Sequence, residues 1–344
     1  MPNTNKRIRQ CNGHPNDECY TPMECILNEL NYWGGKGKFK GKSIICPCDW
    51  FITTDCDTPS ITIEYAENGS YNGDNLSQDQ IDDLLKKTIR INFVKALIQN
   101  AGLWGIKSIT ASGYDPTKDR GIPFQNVDYS KYDVCITNPP FSLYGEFLGK
   151  LVGNIDFVVL APFLNRVSPP EAIPMMNHKL YLGHEIHRHV NFVNPTPENQ
   201  YNTNDALKVV CCDWLTSWPD AQQERNAADY KTGISYETYK DDYQFMENMT
   251  MKDGTHPMIV GAGTIPDDYD GWMFAPISIL DRLNTDKYDM YCTGCRAYFN
   301  KNSRQYNPFA HDLSTDMRKH NGKAKFDGWV FKKKPDKKEE EQDE

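Results

Sequence analysis

The run Tyr132-Asp133-Val134-Cys135-Ile136-Thr137-Asn138-Pro139-Pro140-Phe141-Ser142-Leu143-Tyr144 puts an apolar segment directly before a rigid polar turn. Val134 to Thr137 is rich in β-branched residues, the composition of a buried strand. The two prolines end it, because neither can donate a hydrogen bond to a ladder. Asn138 is thereby held at the carboxyl end of a strand, where open α/β sheets bind ligands. Its side-chain oxygen and the Pro139 carbonyl can both accept from an amino group. Phe141 offers a ring to stack on whatever carries that amine. Asn138, Pro139, Pro140 and Phe141 are the candidate catalytic residues.

Elements on either side extend the pattern. Met23, Ile26, Leu27 and Leu30 have helical spacing, and Thr21-Pro22-Met23-Glu24 reads as a helix start with a Thr cap. Ser43 to Cys46 reads as a strand running into Pro47-Cys48-Asp49-Trp50. Residues 57–77 are rich in Asn, Gly, Ser and Asp and read as an irregular inserted loop. One long helix is expected over 78–102, a strand over 106–111, and a very short third element at Phe124 to Asp128. The strand at 132–137, a helix from Tyr144 to Val152 and a strand from Ile155 to Ala161 follow. Strands are also expected at 179–182 and 206–213, a polar irregular region at 219–270, a helix at 279–283 and a last strand at 326–331. This order of elements predicts an α/β fold with a mostly parallel sheet.

The chain has 344 residues, a formal net charge of −9 and 11 cysteines. It is long enough for a substantial core. No apolar run reaches the ~20 residues of a membrane helix, and Met1 to Arg9 is polar and basic with no signal core behind it. A soluble cytoplasmic protein with reduced thiols and no membrane partner is expected. The acidic balance argues against non-specific coating of nucleic acid but leaves room for a locally basic cleft. Lys36, Lys38 and Lys40 form one such basic cluster and are the candidate nucleic-acid-binding residues, a solvated surface segment being the competing reading. Cys292 and Cys295 make a single metal-type pair, and Cys11, His14 and Cys19 a loose cluster. A structural zinc site usually shows two clear ligand pairs, so no metal is expected.

Asn138-Pro139-Pro140-Phe141 resembles the signature of amino-methyltransferases, mostly those acting on N6 of adenine in DNA. Together with Tyr20-Thr21-Pro22, the Pro47-Cys48-Asp49 turn and Ser142-Leu143, it resembles the EcoRI-type adenine-specific DNA methyltransferases. Weaker similarity runs through Val210 to Thr216, Ala275 to Asp281 and Asn321 to Lys323. The resemblance implies a Rossmann-like fold that uses S-adenosylmethionine, with double-stranded DNA as partner and an adenine flipped out for reaction. It implies cofactor contacts from Tyr20, Thr21 and Pro22, and from Pro47, Cys48 and Asp49, the latter standing where the class usually has a Gly-rich motif. Asp115 is then the ribose candidate and Asp128 the adenine-N6 candidate, each following an expected strand. Ordinary capping or turn formation by such acids is the competing reading.

On this basis 1–190 is expected to be the catalytic core and 191–334 its continuation with a smaller irregular target-recognition region. Residues 335–344 are expected to be a disordered acidic tail. Other readings remain open. Transfer to RNA adenine or to a protein glutamine uses the same grip on an amide or amino nitrogen. A catalytically decayed DNA-binding protein and a zinc-dependent nucleic-acid binder are the alternatives outside the class. The target sequence cannot be carried over, because it depends on regions such as 219–262 that match nothing recognisable.

Overall fold

The computed structural model describes residues 21–50, 60–66, 77–86, 91–115, 119–193, 206–228, 232–239, 244–251, 254–259, 261–292, 319–320, 323–324 and 328–335. In chain order the elements begin with α1 (Met23–Gly35), β1 (Ser43–Cys46), β2 (Ser60–Glu64), α2 (Gln78–Lys86), α3 (Asn92–Trp104), β3 (Ser108–Ser112), β4 (Tyr114–Asp115) and β5 (Arg120–Gly121). Next come β6 (Val134–Thr137), α4 (Tyr144–Leu151), β7 (Asp156–Pro162), α5 (Pro169–Met176), β8 (Tyr181–Leu182), β9 (Arg188–Val193) and β10 (Ala206–Thr216). The remainder are α6 (Asp220–Ala227), α7 (Tyr236–Tyr239), β11 (Gln244–Met251), β12 (Gly254–Met258), β13 (Met273–Pro276), β14 (Tyr288–Cys292), β15 (Lys319–His320), β16 (Lys323–Ala324) and β17 (Gly328–Lys333). They form two compact units, 1–163 with 179–219 and 164–178 with 220–344. β10 lies in the first unit and α5 in the second. No helix among the described residues is long and apolar enough to cross a membrane.

The first unit is built on an eight-stranded sheet, β2-β3-β1-β6-β7-β10-β8, with β9 paired to β10. β3, β1, β6 and β7 are mutually parallel neighbours. β2 and β10 run antiparallel to them. All of β3 and β6 and nearly all of β7 are buried, as parallel strands covered on both faces must be. This is the Rossmann-like α/β fold expected. The chain moves from β1 to β3 on one side and returns to β6 on the other, so the strand order reverses between β1 and β6. Ligands of open α/β sheets bind at such a reversal, beyond the carboxyl ends of the strands.

Helix α1 buries Ile26, Leu30 and Trp33, each contributing roughly 1.5–3 kcal/mol over the exposed side chain. Trp33 and Phe39 both meet Trp218, and Phe39 meets Trp104 at the end of α3. α3 stops at Gly105, whose φ of 64° is the left-handed conformation of a helix C-terminus; Ile106 N–H then reaches back to Ala101 O at 3.0 Å.

Several expectations change. Residues 60–64, read as irregular, form β2 on the edge of the sheet, with Thr62 and Thr110 hydroxyls 2.9 Å apart. The single helix over 78–102 is two helices, α2 and α3, with 87–90 outside the described residues. Thr21 does not cap α1: Pro22 occupies the cap position and no side-chain cap bond forms. The region 219–270 holds α6, α7, β11 and β12, and the expected helix at 279–283 is a 3-10 turn over Ile277–Asp281. The second unit's sheet runs β11-β12-β13-β17-β14. Phe274, Trp329 and Phe331 fill its core, and the fully buried Arg166 pairs with Asp281 at 2.5 Å. Most of the acidic tail, 336–344, lies outside the described residues.

Candidate active site

The carboxyl ends of β1, β3 and β6 are tied together by three hydrogen bonds. After β1 the chain turns through Pro47 and Cys48. The backbone N–H groups of Asp49 and Trp50 then donate to Ser112 O, the last residue of β3, at 3.2 and 3.1 Å. Gly113 follows, and a Cβ there would run into the Trp50 backbone, so this closeness requires glycine. On the other side of β1, Thr137 Oγ1, at the end of β6, donates to Asp49 Oδ2 at 2.6 Å. Both residues are buried. The backbone ladder between β1 and β6 pairs Ile44 with Val134 and Ile45 with Cys135. The Thr137–Asp49 bond therefore spans the strand reversal two residues past the last ladder pair.

Asn138 comes directly after Thr137, half-buried, with its side-chain oxygen shielded from solvent. Pro139 is buried, and Pro140, with φ −56° and ψ 120°, opens a 3-10 turn over Phe141–Leu143 closed by Leu143 N–H on Pro140 O at 3.0 Å. Phe141 is half-buried and meets Phe192 of β9 edge to face, centroids 5.9 Å apart and planes at 83°. Phe192 is fully buried, so it fixes the tilt of a ring that stays partly accessible. An edge-to-face pair of this kind is worth about 0.5–1.5 kcal/mol beyond its burial. β9 reaches this position because β10 is long: Cys212 to Thr216 pair with β7, while Ala206 to Cys212 pair with β9 beyond the end of β7.

The other expected residues divide by position. α1 runs back against β1: its last turn leads through 36–42 into Ser43, so its first turn points toward the carboxyl ends. Thr21 and Pro22 thus lie on the same side as Pro47, Cys48 and Asp49, and Thr21 O is held by Asn92 Nδ2 at 2.9 Å. Thr21 Oγ1 and Ser112 Oγ are buried with no hydrogen-bond partner among the described residues. Asp115 sits in the β4–β5 hairpin after Gly113, its backbone paired with Arg120; its side chain lies outside the described residues, as does Tyr20.

Asp128 differs from expectation. The third strand before it is a 3-10 turn, Phe124–Asn126, started by Pro123, and the sheet position beside β3 belongs to β2. Asp128 is exposed and caps the turn Tyr129–Lys131, accepting from Ser130 Oγ at 2.6 Å. The Ser130 hydroxyl, with Lys131 beside it, holds its carboxyl below the usual value. Lys36, Lys38 and Lys40 lie between α1 and the start of β1, at the amino-terminal edge of the sheet, opposite Asn138. Lys36 sits over Tyr32 and Lys38 over Trp218.

Around Asp49, burial pushes the thiols of Cys46 and Cys135 and the Tyr129 phenol well up, with lesser contributions from Asp49 or the neighbouring cysteines. All three stay neutral near pH 7. Among the described residues no three His, Cys, Asp or Glu side chains gather as a metal site, and Cys292 instead donates to Val167 O at 3.2 Å. Cys11, His14, Cys19 and Cys295 lie outside the described residues. Sequence reading missed Thr137, Ser112 and Phe192. The signal for Thr137 was a hydroxyl closing an otherwise apolar strand, which needs a buried partner; Phe192 carried none.

The family model described as adenine-specific methyltransferase EcoRI matches residues 125–334, more than half of the chain. The chain belongs to this family. Among curated relatives, the Type II methyltransferase M.EcoRI of Escherichia coli is 24% identical over 323 residues, covering 83% of this chain and 89% of that protein. The Type II methyltransferase M.MgeORF184P of Mycoplasma genitalium is 24% identical over 341 residues, covering 92% and 96%. The family match takes in the Asn138 turn, β7, β9, β10 and all of the second unit's sheet, and begins after the Pro47-Cys48-Asp49 turn.

Proposed function

We propose that this family member moves a methyl group from S-adenosylmethionine to N6 of an adenine in double-stranded DNA. The observation that carries the reading is the Asn138-Pro139-Pro140-Phe141 turn, set at the strand reversal and joined through Thr137 to the turn after β1. Thr21 Oγ1 and Ser112 Oγ are buried polar atoms with no partner among the described residues, and Ser112 lies against that turn. Such a donor set fits a cofactor bearing an amino acid and a ribose. Thr21, Pro22, Pro47, Cys48, Asp49 and Asp115 are its proposed holders. S-adenosylmethionine supplies a methyl carbon made electrophilic by the sulfonium.

The chain's own contribution is position and polarity. A paired adenine hides N6 within the duplex, so the base must be extruded to reach Asn138, at a cost of a few kcal/mol. Asn138 Oδ1 and Pro139 O accept the two amine hydrogens and turn the nitrogen lone pair outward. Phe141, tilted by Phe192, stacks on the purine. The prolines fix the acceptors before substrate arrives, so little reorganisation is needed during reaction.

Asn138→Ala should lower methyl transfer at least about 10²-fold, the loss typical of one such polar group, while cofactor affinity changes little. The measurement is tritium transfer to unmethylated plasmid DNA, followed by digestion to nucleosides. With RNA and protein offered alongside the plasmid, label in RNA-derived N6-methyladenosine or in protein, and none in N6-methyldeoxyadenosine, would overturn the proposal.

A further inference from the structure

We infer that Thr137 is a positioning residue: its hydroxyl, bonded to Asp49, sets the separation between the amine-gripping turn and the turn after β1. The inference rests on the function proposed above and assigns a role that the Asn138 motif itself does not include.

The argument starts from the ladder. β1 and β6 are paired at Ile44–Val134 and Ile45–Cys135. Beyond Cys135, β6 continues on its other side along β7, where Ile136 pairs with Val158 and Thr137 with Val159. β1 instead turns away at Pro47, which has no N–H to offer. The two strands part at the strand reversal, and the crevice between them opens there. One lip is Asn138 to Phe141; the other is Pro47 to Trp50. The 2.6 Å bond from Thr137 Oγ1 to Asp49 Oδ2 crosses that crevice.

Each end of the bond is anchored elsewhere. Thr137 is fully buried and fixed by β7. Asp49 is nearly buried, and its N–H is fixed on Ser112 O. A hydroxyl-to-carboxylate bond of this length is in the strong range. Asn138 is the next residue after Thr137, so any shift of Thr137 carries directly into the group that grips the amine. Without the bond, the β7 ladder still holds β6, so the protein folds, but the two lips lose their fixed spacing.

Reactions between two held groups are sensitive to this spacing, and a displacement of 1 Å can cost about 10²-fold in rate. Thr137→Val keeps the branched shape and removes the hydroxyl; Thr137→Ser keeps the hydroxyl. The full-length protein is assayed with tritiated S-adenosylmethionine and unmethylated plasmid DNA, and affinity for S-adenosylhomocysteine is measured by calorimetry. For Thr137→Val the expected result is a kcat lower by about 10²-fold, with KM for DNA and the calorimetric Kd within about threefold of the unsubstituted chain. Thr137→Ser restores most of the rate. A purely structural role would lower the melting temperature and weaken all constants together. If Thr137→Val does not fold, Thr137→Ala removes the same hydroxyl without demanding branched packing. An unchanged kcat in the folded variant, or no recovery in Thr137→Ser, overturns the inference alone. Absence of adenine labelling by the unsubstituted protein overturns the proposed function and this inference with it.

Discussion

Glu29 shows how one side chain can hold a loop and make stability depend on pH. It lies fully buried on α1, one turn from both Ile26 and Trp33 and therefore beside the helix's apolar face. Its Oε1 accepts from Trp33 Nε1 at 2.6 Å and from His184 N–H at 3.0 Å, and its Oε2 from Glu185 N–H at 2.7 Å. The carboxyl thereby fastens the segment between β8 and β9, and β9 carries Phe192 to Phe141. Burial, the largest cause, pushes its pKa from 4.5 to about 7; the three N–H donors oppose the shift and the nearby Glu185 charge adds to it. Glu185 is itself paired with Arg188, and His184 is stacked on Tyr32. Between pH 4.5 and 7 the folded chain keeps a proton at Glu29 that the unfolded chain releases. Stability from this group is full below 4.5, falls as pH rises through 7, and then levels off. Glu29→Gln has no such proton. Denaturant unfolding at pH 5, 6, 7 and 8 should show the unsubstituted chain losing about 3 kcal/mol relative to Glu29→Gln by pH 8, with most of the loss below about pH 7.5. A difference independent of pH would refute the assignment.

Among the elements, the approach of β3 to the turn after β1 is the least forgiving. A Cβ at Gly113 would meet the Trp50 carbonyl, a backbone group that cannot swing aside. Gly113→Ala should therefore cost at least about 2 kcal/mol and shift the turn that carries Asp49. Gly149, in α4 with open space around it, is the control: alanine there should add about 0.5–1 kcal/mol. Denaturation midpoints of the two variants should move in opposite directions, and equal midpoints would contradict the steric account. The same elements explain what the sequence allowed to be read. β1, β6 and β7 were legible because parallel strands buried on both faces are largely continuous apolar runs, and the Asn138 turn because two prolines must end a strand. β2 was not, since its Ile-Thr-Ile core is hidden among Asn, Gly and Asp residues and its partner β3 is distant in sequence. The element before Asp128 was not legible as a 3-10 turn, and an acid in that place serves equally well as a cap, which Asp128 does here for Ser130. Asp49 was identified as an acid at a strand end, but its bond to Thr137 spans 88 residues and no local pattern encodes it. The hairpin β11–β12 was missed because its strands are polar and Met-rich rather than alternating.

On the scale of the whole molecule, the question is which surface meets a polyanion when the chain carries a net charge of −9. The lysines that stood out in the sequence, Lys36, Lys38 and Lys40, lie at the amino-terminal edge of the first sheet. β1 alone, at four residues, sets them about 13 Å from the carboxyl edge, before the connecting turns are counted. That exceeds the Debye length of about 8 Å at physiological ionic strength, so their charge is largely screened at the Asn138 turn. Lys36 and Lys38 are also held against Tyr32 and Trp218. If DNA docks at the carboxyl edge, as proposed, this cluster is not expected to neutralise its phosphates. Replacing all three lysines by glutamate should change KM for plasmid DNA by less than about threefold. The slope of log affinity against log salt should stay the same, because each phosphate neutralised by a lysine or arginine adds about one to its magnitude. A slope reduced by two or three would mean that the duplex reaches around to the amino-terminal edge, and the docking side inferred from the strand reversal would have to be redrawn.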